Sequence, residues 1–371
     1  MENAEKKKIR FGDAAPVRLV IMLLSLTAVA VIYAMKSDAA AMRSLYFAVT
    51  RPYHDFMSRL CNHLPFSAAE IVWAAAVIFV TVYIIYTAVR LIRGPRRGAA
   101  LYKAALTVGM IASLFWAGFS LLWTPCYYAP TFAQQSGADN GPVSVEELKA
   151  VTRYFAMEAN KASAHVERDE NGLFTADREK VLARAPRIYA GAARLWPFLE
   201  SAELEPKGVI CSKVMSMLDF TGFFFPMTGE ANVNMDSPVV MLPATTQHEI
   251  SHQRGIAAEQ ECNFLAVAAC MASDDADFRY SGALMAYIYL GNALYSADRA
   301  AWQDAYSMLA ADVRADLAAD SAYWRPYRDT VVKKASNTVY NSFLVDNGQT
   351  LGLKSYGACV DLLVNYYGGT A

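Results

Sequence analysis

Two histidines stand four residues apart around a glutamate in the run His248-Glu249-Ile250-Ser251-His252. Residues four apart on a helix lie one turn above each other, so both imidazoles reach a single zinc ion. Glu249 between them then lies beside the attacking water as a general base. Zinc catalysis also needs a third protein ligand and an open position for the water. The nearest candidates downstream are Glu259, Glu261 and Asn263. Glu259 and Asn263 share a helix face, whereas Glu261 lies about 200° round from Glu259, so the two glutamates cannot both face the ion. A carboxylate suits zinc better than an amide. Glu259 is therefore the expected ligand, with Asn263 steadying it from one turn further on. Only six residues separate His252 from Glu259, so the chain must reverse at Gly255, which tolerates the left-handed conformation that ends a helix. A cationic or hydroxyl side chain commonly polarises the scissile carbonyl, and Arg279, Tyr340 and Tyr356 form the pool, although for any one of them packing or surface bonding is the safer reading.

The elements that position these residues follow from the surrounding text. Val239 to Pro243 reads as a strand running into the histidine helix, with Thr245 or Thr246 as its N-cap. From Val209 to Pro243 the chain is rich in β-formers, Gly and Asn, which predicts short strands and loops. Phe223-Phe224-Phe225-Pro226 is a candidate buried strand, and the alternation of Thr228 to Asn234 fits a strand beside a cleft. Glu230, Asn232 and Asn234 would share one side of it as a wall of a peptide-binding groove. The competing reading has these polar side chains bond neighbouring backbone in a loop. After Gly255 a second helix opens at Glu259 and is apolar through Cys270 and Met271. Gly282 to Tyr295 is a buried helix, and Trp302 to Ala319 an amphipathic one.

At 371 residues and 55% hydrophobic, the chain can hold a membrane region and one packed domain. A net charge of -1 gives no footprint for nucleic acid. Three apolar runs, about 16–35, 71–92 and 106–124, are each long enough to cross a bilayer core of roughly 30 Å. Lys6, Lys7, Lys8 and Arg10 precede the first, and a second cluster, Arg90, Arg93, Arg96, Arg97 and Lys103, begins at the end of the second and fills the gap before the third. The positive-inside rule puts both clusters in the cytoplasm and the remainder of the chain outside it. The first run is read as an uncleaved anchor rather than a signal peptide ending at Ala39-Ala40-Ala41, because its apolar core is too long. The connection to the second run is long enough for an interfacial helix, and its His54 and His63 are read as surface or interfacial residues.

Residues 1–125 are thus the membrane region, 126–143 a polar linker, and 144–371 a helical extracytoplasmic domain opened by a capping box at Ser144-Val145-Glu146-Glu147. Helical segments at 176–185 and 185–199 are expected to be separated at Pro186. The six cysteines include no C-x-x-C pair, so their spacing argues against a thiolate zinc site. Cys262 and Cys270 are read as small apolar packing groups, while Cys126, Cys211 and Cys359 leave a disulfide open.

The zinc helix and the glutamate-bearing helix after it resemble the gluzincin pattern, from which they depart at Asn263, where many such peptidases carry aspartate, and in the short spacing. The stretches GFFFPMTGEANVN (Gly222 to Asn234), HEISHQRG (His248 to Gly255), ECNFLA (Glu261 to Ala266), FRYS (Phe278 to Ser281) and GLKSYG (Gly352 to Gly357) are similar to an uncharacterised bacterial membrane family, the domain of unknown function family 3810. That resemblance implies a mainly α (α+β) fold, with three transmembrane helices followed by a zincin-like domain with a small β-sheet. It implies a zinc site and names no substrate. Two functions are open. One is a membrane-anchored metallopeptidase acting on a peptide or protein. The other is a catalytically silent metal-binding protein that holds a partner or cell-envelope component. An intact Glu249 favours the first, since a structural site needs no base. The oligomeric state is not legible.

Overall fold

The computed structural model describes residues 16–328, 330–347 and 356–369. It is mainly helical with one three-stranded sheet. The chain divides into two compact units, one ending at Pro52 and resuming over Ala69–Tyr128, the other comprising Tyr53–Ala68 and Ala129–Ala371.

In the first unit the long helices are α1 (Pro16–Met35), α4 (Ala68–Arg93) and α5 (Arg97–Leu122), and all three are long and apolar enough to cross a membrane. Between α1 and α4 run α2 (Ala39–Leu45), one π turn at Tyr46–Thr50, and α3 (Arg51–Asn62). Helix α4 outruns the apolar stretch expected at 71–92 at both ends, and α5 begins nine residues before the one expected at 106–124 and ends at Leu122. Arg97 and Lys103, expected in a loop, lie within α5. Continuing the helix keeps the backbone groups paired as the chain leaves an apolar layer. Helix α1 packs on α5, where Gly109 leaves room for the Met22 thioether and Tyr33 meets Trp116 edge to face.

The second unit, to which α3 belongs from Tyr53 onward, continues with α6 (Phe132–Ser136) and α7 (Val145–Ser163), the latter opened by the expected Ser144 capping box. Next comes α8 (Arg178–Leu195), which runs unbroken through Pro186 instead of separating there. The Ala185 carbonyl beside that proline receives the side-chain amide of Gln247. Then follow β1 (Lys207–Val209), α9 (Ser212–Met217), β2 (Gly222–Phe225) and β3 (Glu230–Asn234). The remaining helices are α10 (Leu242–Gln253), α11 (Glu259–Met271), α12 (Ala276–Ala297), α13 (Arg299–Ser307), α14 (Ala311–Trp324), α15 (Val331–Asp346) and α16 (Tyr356–Tyr367). The amphipathic stretch read from Trp302 to Ala319 is two helices, because the Asn160 side chain takes up the Met308 carbonyl and the Ala310 amide at the break.

Helix α11 is buried from Glu261 to Cys270, as an all-round apolar helix must be, with α8, α10, α12 and α16 packed about it. Gly282 lets α12 close on it, since a Cβ there would lie 2.3 Å from that of Cys270. Strand β3 is the middle of the sheet, parallel to β1 and antiparallel to β2. The sheet also receives the segment Tyr53–Ala68. Lys207 Nζ donates to the carbonyls of Asn62 and Leu64, Ser67 Oγ to Asn232, and the Tyr53 hydroxyl to Met227. His54, read from the sequence as a surface or interfacial residue, is buried with its ring edge-on to Phe224.

Candidate metal centre

Helix α10 carries His248, Glu249 and His252, and it starts earlier than its text suggests. Val239–Met241 form a 3-10 turn rather than a strand, and Pro243 lies in the first helical turn, where its missing N–H costs nothing. Thr245 and Thr246, the expected caps, are buried inside the helix. The buried amide of Ala244, in the first turn, donates instead to the Ser281 hydroxyl of α12 at 3.1 Å.

At its other end α10 stops where the sequence requires. Gly255 has φ of 92°, its N–H donates to the His252 carbonyl, and the Ile256 N–H donates to Ser251. That reversal has two consequences. It turns the Ile256 carbonyl back so that it lies 2.8 Å from His252 Nδ1, which fixes the ring and makes Nε2 the ligand atom. It also brings Glu259, the first residue of α11, under both histidines.

His248 Nε2 lies 3.3 Å and His252 Nε2 3.6 Å from the two Glu259 carboxylate oxygens. One ligand atom from each of the three residues falls within 4.8 Å of the others. Two atoms each bound at about 2.0–2.1 Å to a tetrahedral zinc lie about 3.3 Å apart, so the donor set fits that ion in chemistry and in spacing. The His248, His252 and Glu259 side chains are 15%, 7% and 21% exposed, leaving an open side for a further ligand. Burial works against the Glu259 carboxylate, but the charge of His252 and hydrogen bonds from both imidazoles hold it well below the usual carboxylate range.

Glu249 is buried, and its Oε2 has no hydrogen-bond partner among the described residues. Its carboxylate lies against the backbone of Gly222 in β2, where a Cβ would sit 2.4 Å from Oε1. Burial pushes its pKa up to about 7, against the two flanking imidazoles. A carboxylate so placed accepts a proton near neutrality far more readily than a solvated one.

The other expected residues are distributed as follows. Glu261 points away from the histidines, and its carboxylate accepts from the Ala133 amide at the start of α6. Asn263 accepts a hydrogen bond from Tyr289. Cys262, read as a plain packing group, lies 3.3 Å from both His252 Nδ1 and the Ile256 carbonyl. Burial raises its thiol to about 12, so it stays protonated and donates. Glu230, Asn232 and Asn234 do share one side of β3, but that side faces inward. Glu230 accepts from the Ala68 amide and Asn232 from Ser67. Asn234 bonds Ser216, Phe220, Asp236 and Ser237. With β1 and β2 on its two edges, β3 has no edge for a peptide to join. Arg279 reaches the Met271 and Ser273 carbonyls and Glu158, at the end of α11 remote from Glu259, about 18 Å along the helix. Tyr340 lies in α15 and Tyr356 opens α16, but both side chains, like residues 352–355 of the GLKSYG stretch, lie outside the described residues. None of Cys61, Cys126, Cys211, Cys262, Cys270 and Cys359 is joined in a disulfide.

A family model described as Protein of unknown function (DUF3810) matches residues 46–364, which takes in all of these site residues. No curated protein and no solved structure matches the chain.

Proposed function

The chain belongs to this DUF3810 family, and for it we propose zinc-dependent hydrolysis of peptide bonds by a membrane-anchored protein whose site faces away from the cytoplasm. One observation carries the reading. The two Nε2 atoms and a carboxylate are gathered at metal-ligand spacing, with a second buried carboxylate, whose Oε2 has no partner among the described residues, seated next to them.

A zinc ion held by His248, His252 and Glu259 would supply Lewis acidity toward a water and a substrate carbonyl. Glu249 takes the proton from the attacking water and returns it to the leaving amine, for which a pKa near neutrality suits both directions. Gly222 holds that carboxylate in place, because only a residue without Cβ lets the strand lie so close. The Ile256 carbonyl and the Cys262 thiol hold His252 at its other nitrogen. A purely structural site explains the ligands, but not an additional buried acid desolvated beside them.

The orientation is supported by charge and by connectivity. Residues 53–68 and 129–371 fold as one unit, so they lie on one side of the bilayer. Three crossings put that side opposite both the basic N-terminal run and the Arg90 to Lys103 cluster.

The test is turnover of a peptide library by the full-length protein with Glu249→Gln as comparison. Glu249→Gln keeps the metal and the fold and is expected to lose activity by at least about 100-fold. Equal cleavage by both proteins contradicts the assignment.

A further inference from the structure

Helix α3 is built inside out. Its buried positions are His54, Ser58 and Cys61, at 5%, 4% and 5% exposure, whereas Phe56 and Leu60 are 64% and 52% exposed. Phe56, Leu60 and, past the helix end, Leu64 recur at four-residue spacing with Arg59 and His63 beside them, all on the exposed side. Phe66 is exposed as well, two residues before α4 begins at Ala68. A helix folded in water turns such residues the other way, with the aromatic and leucine inward and the histidine and serine out.

From this inversion we infer that the outward face of α3, with Leu64 and Phe66, lies in the bilayer interface. The occupant is lipid rather than protein because the face is continuous with the chain entering a helix fit to cross the membrane. Its apolar residues are interleaved with Arg59 and His63, as expected at the level of anionic headgroups. This inference stands whatever the metal centre does.

The consequence for the site is mechanical. Gly229, in the turn between β2 and β3, packs directly on the α3 backbone, where a Cβ would be 2.8 Å from the His54 carbonyl and 2.9 Å from the Ser58 nitrogen. Phe224 of β2 lies on His54, and Gly222, about 7 Å along the same strand, lies on Glu249. The depth of α3 in the interface thus sets the height of the strand that seats Glu249.

The full-length protein in vesicles of equal parts phosphatidylcholine and phosphatidylglycerol provides the test. Nitroxide labels are placed at Leu60→Cys and, as an aqueous control, at Glu170→Cys, both in a Cys211→Ser background, since the other five cysteines are buried. At position 60, collisions with oxygen are expected to exceed those with a water-soluble nickel chelate several-fold, and the ratio to reverse at position 170. Chelate access at position 60 equal to that at 170 overturns the proposal. So does shielding of position 60 from both reagents, which means that a protein partner or a second copy covers the face.

Discussion

Gly222→Ala probes the seat of Glu249 without touching any ligand. The added methyl would start 2.4 Å from Oε1 and 2.7 Å from Cγ and Cδ of Glu249. Ordinary contact begins near 3.4 Å, so the carboxylate must move by about 1 Å or β2 must withdraw by as much. Strand β2 is held to β3 along Gly222–Phe225, which makes the side chain the part that yields. A displacement of about 1 Å in a reacting group costs on the order of 100-fold in rate, and overpacking a buried site costs about 1–3 kcal/mol. The variant is therefore expected to keep its metal, to melt a few degrees lower, and to hydrolyse peptides about 100-fold more slowly. A calorimetric scan and a peptide assay on the same preparation measure both quantities. Unchanged turnover together with an unchanged melting temperature would refute the placement of Glu249 against the strand.

Gly255→Ala forces a side chain into the left-handed region and is expected to cost about 1–2 kcal/mol, seen as a lower melting temperature and weaker zinc retention. In metal-stripped protein the raised Glu249 acid is neutral in the fold below about pH 7 but ionises near pH 4.3 when unfolded. Its contribution is thus full at low pH and is lost, by roughly 4 kcal/mol, as pH rises between those values. Glu249→Gln should remove that slope from a plot of melting temperature against pH. A chain beginning at residue 129 lacks the segment that bonds Glu230 and Asn232. Each buried group left without its partner costs about 1–3 kcal/mol, a large part of a domain's 5–15 kcal/mol. Such a fragment is expected to show no cooperative melting, and supplying residues 53–68 by fusion to restore it.

The parts of the site legible in the sequence are those set by local geometry. The i, i+4 pair on α10, the choice of Glu259 over Glu261 by helical phase, and the reversal at Gly255 all depend on residues within thirteen positions of one another. What was not legible depends on distant chain. The α10 amide is satisfied by Ser281, thirty-seven residues beyond Ala244, so no nearby threonine was needed as a cap. The role of residues 53–68 depends on hydrogen bonds that reach across 143 to 174 positions, and no pattern within the segment announces them. Its inverted amphipathicity appears only when the buried side is known. Gly222 left a faint signal, because a glycine inside a strand often marks close approach of another group. The thiol of Cys262 acquires a polar role only because the turn at Gly255 brings the Ile256 carbonyl to it. Glu230, Asn232 and Asn234 were placed correctly on one side of a strand, but whether that side faced a groove or the core was decided by β1 and by Tyr53–Ala68.

The most direct measurement is the metal content of the full-length protein, by mass spectrometry after purification with zinc supplied, for the native chain, Glu259→Ala and Glu261→Ala. One zinc per chain in the native protein and in Glu261→Ala, and its loss in Glu259→Ala, is the result expected from the geometry of α10 and α11. A native chain without zinc, or one whose zinc survives in Glu259→Ala and is lost in Glu261→Ala, contradicts it.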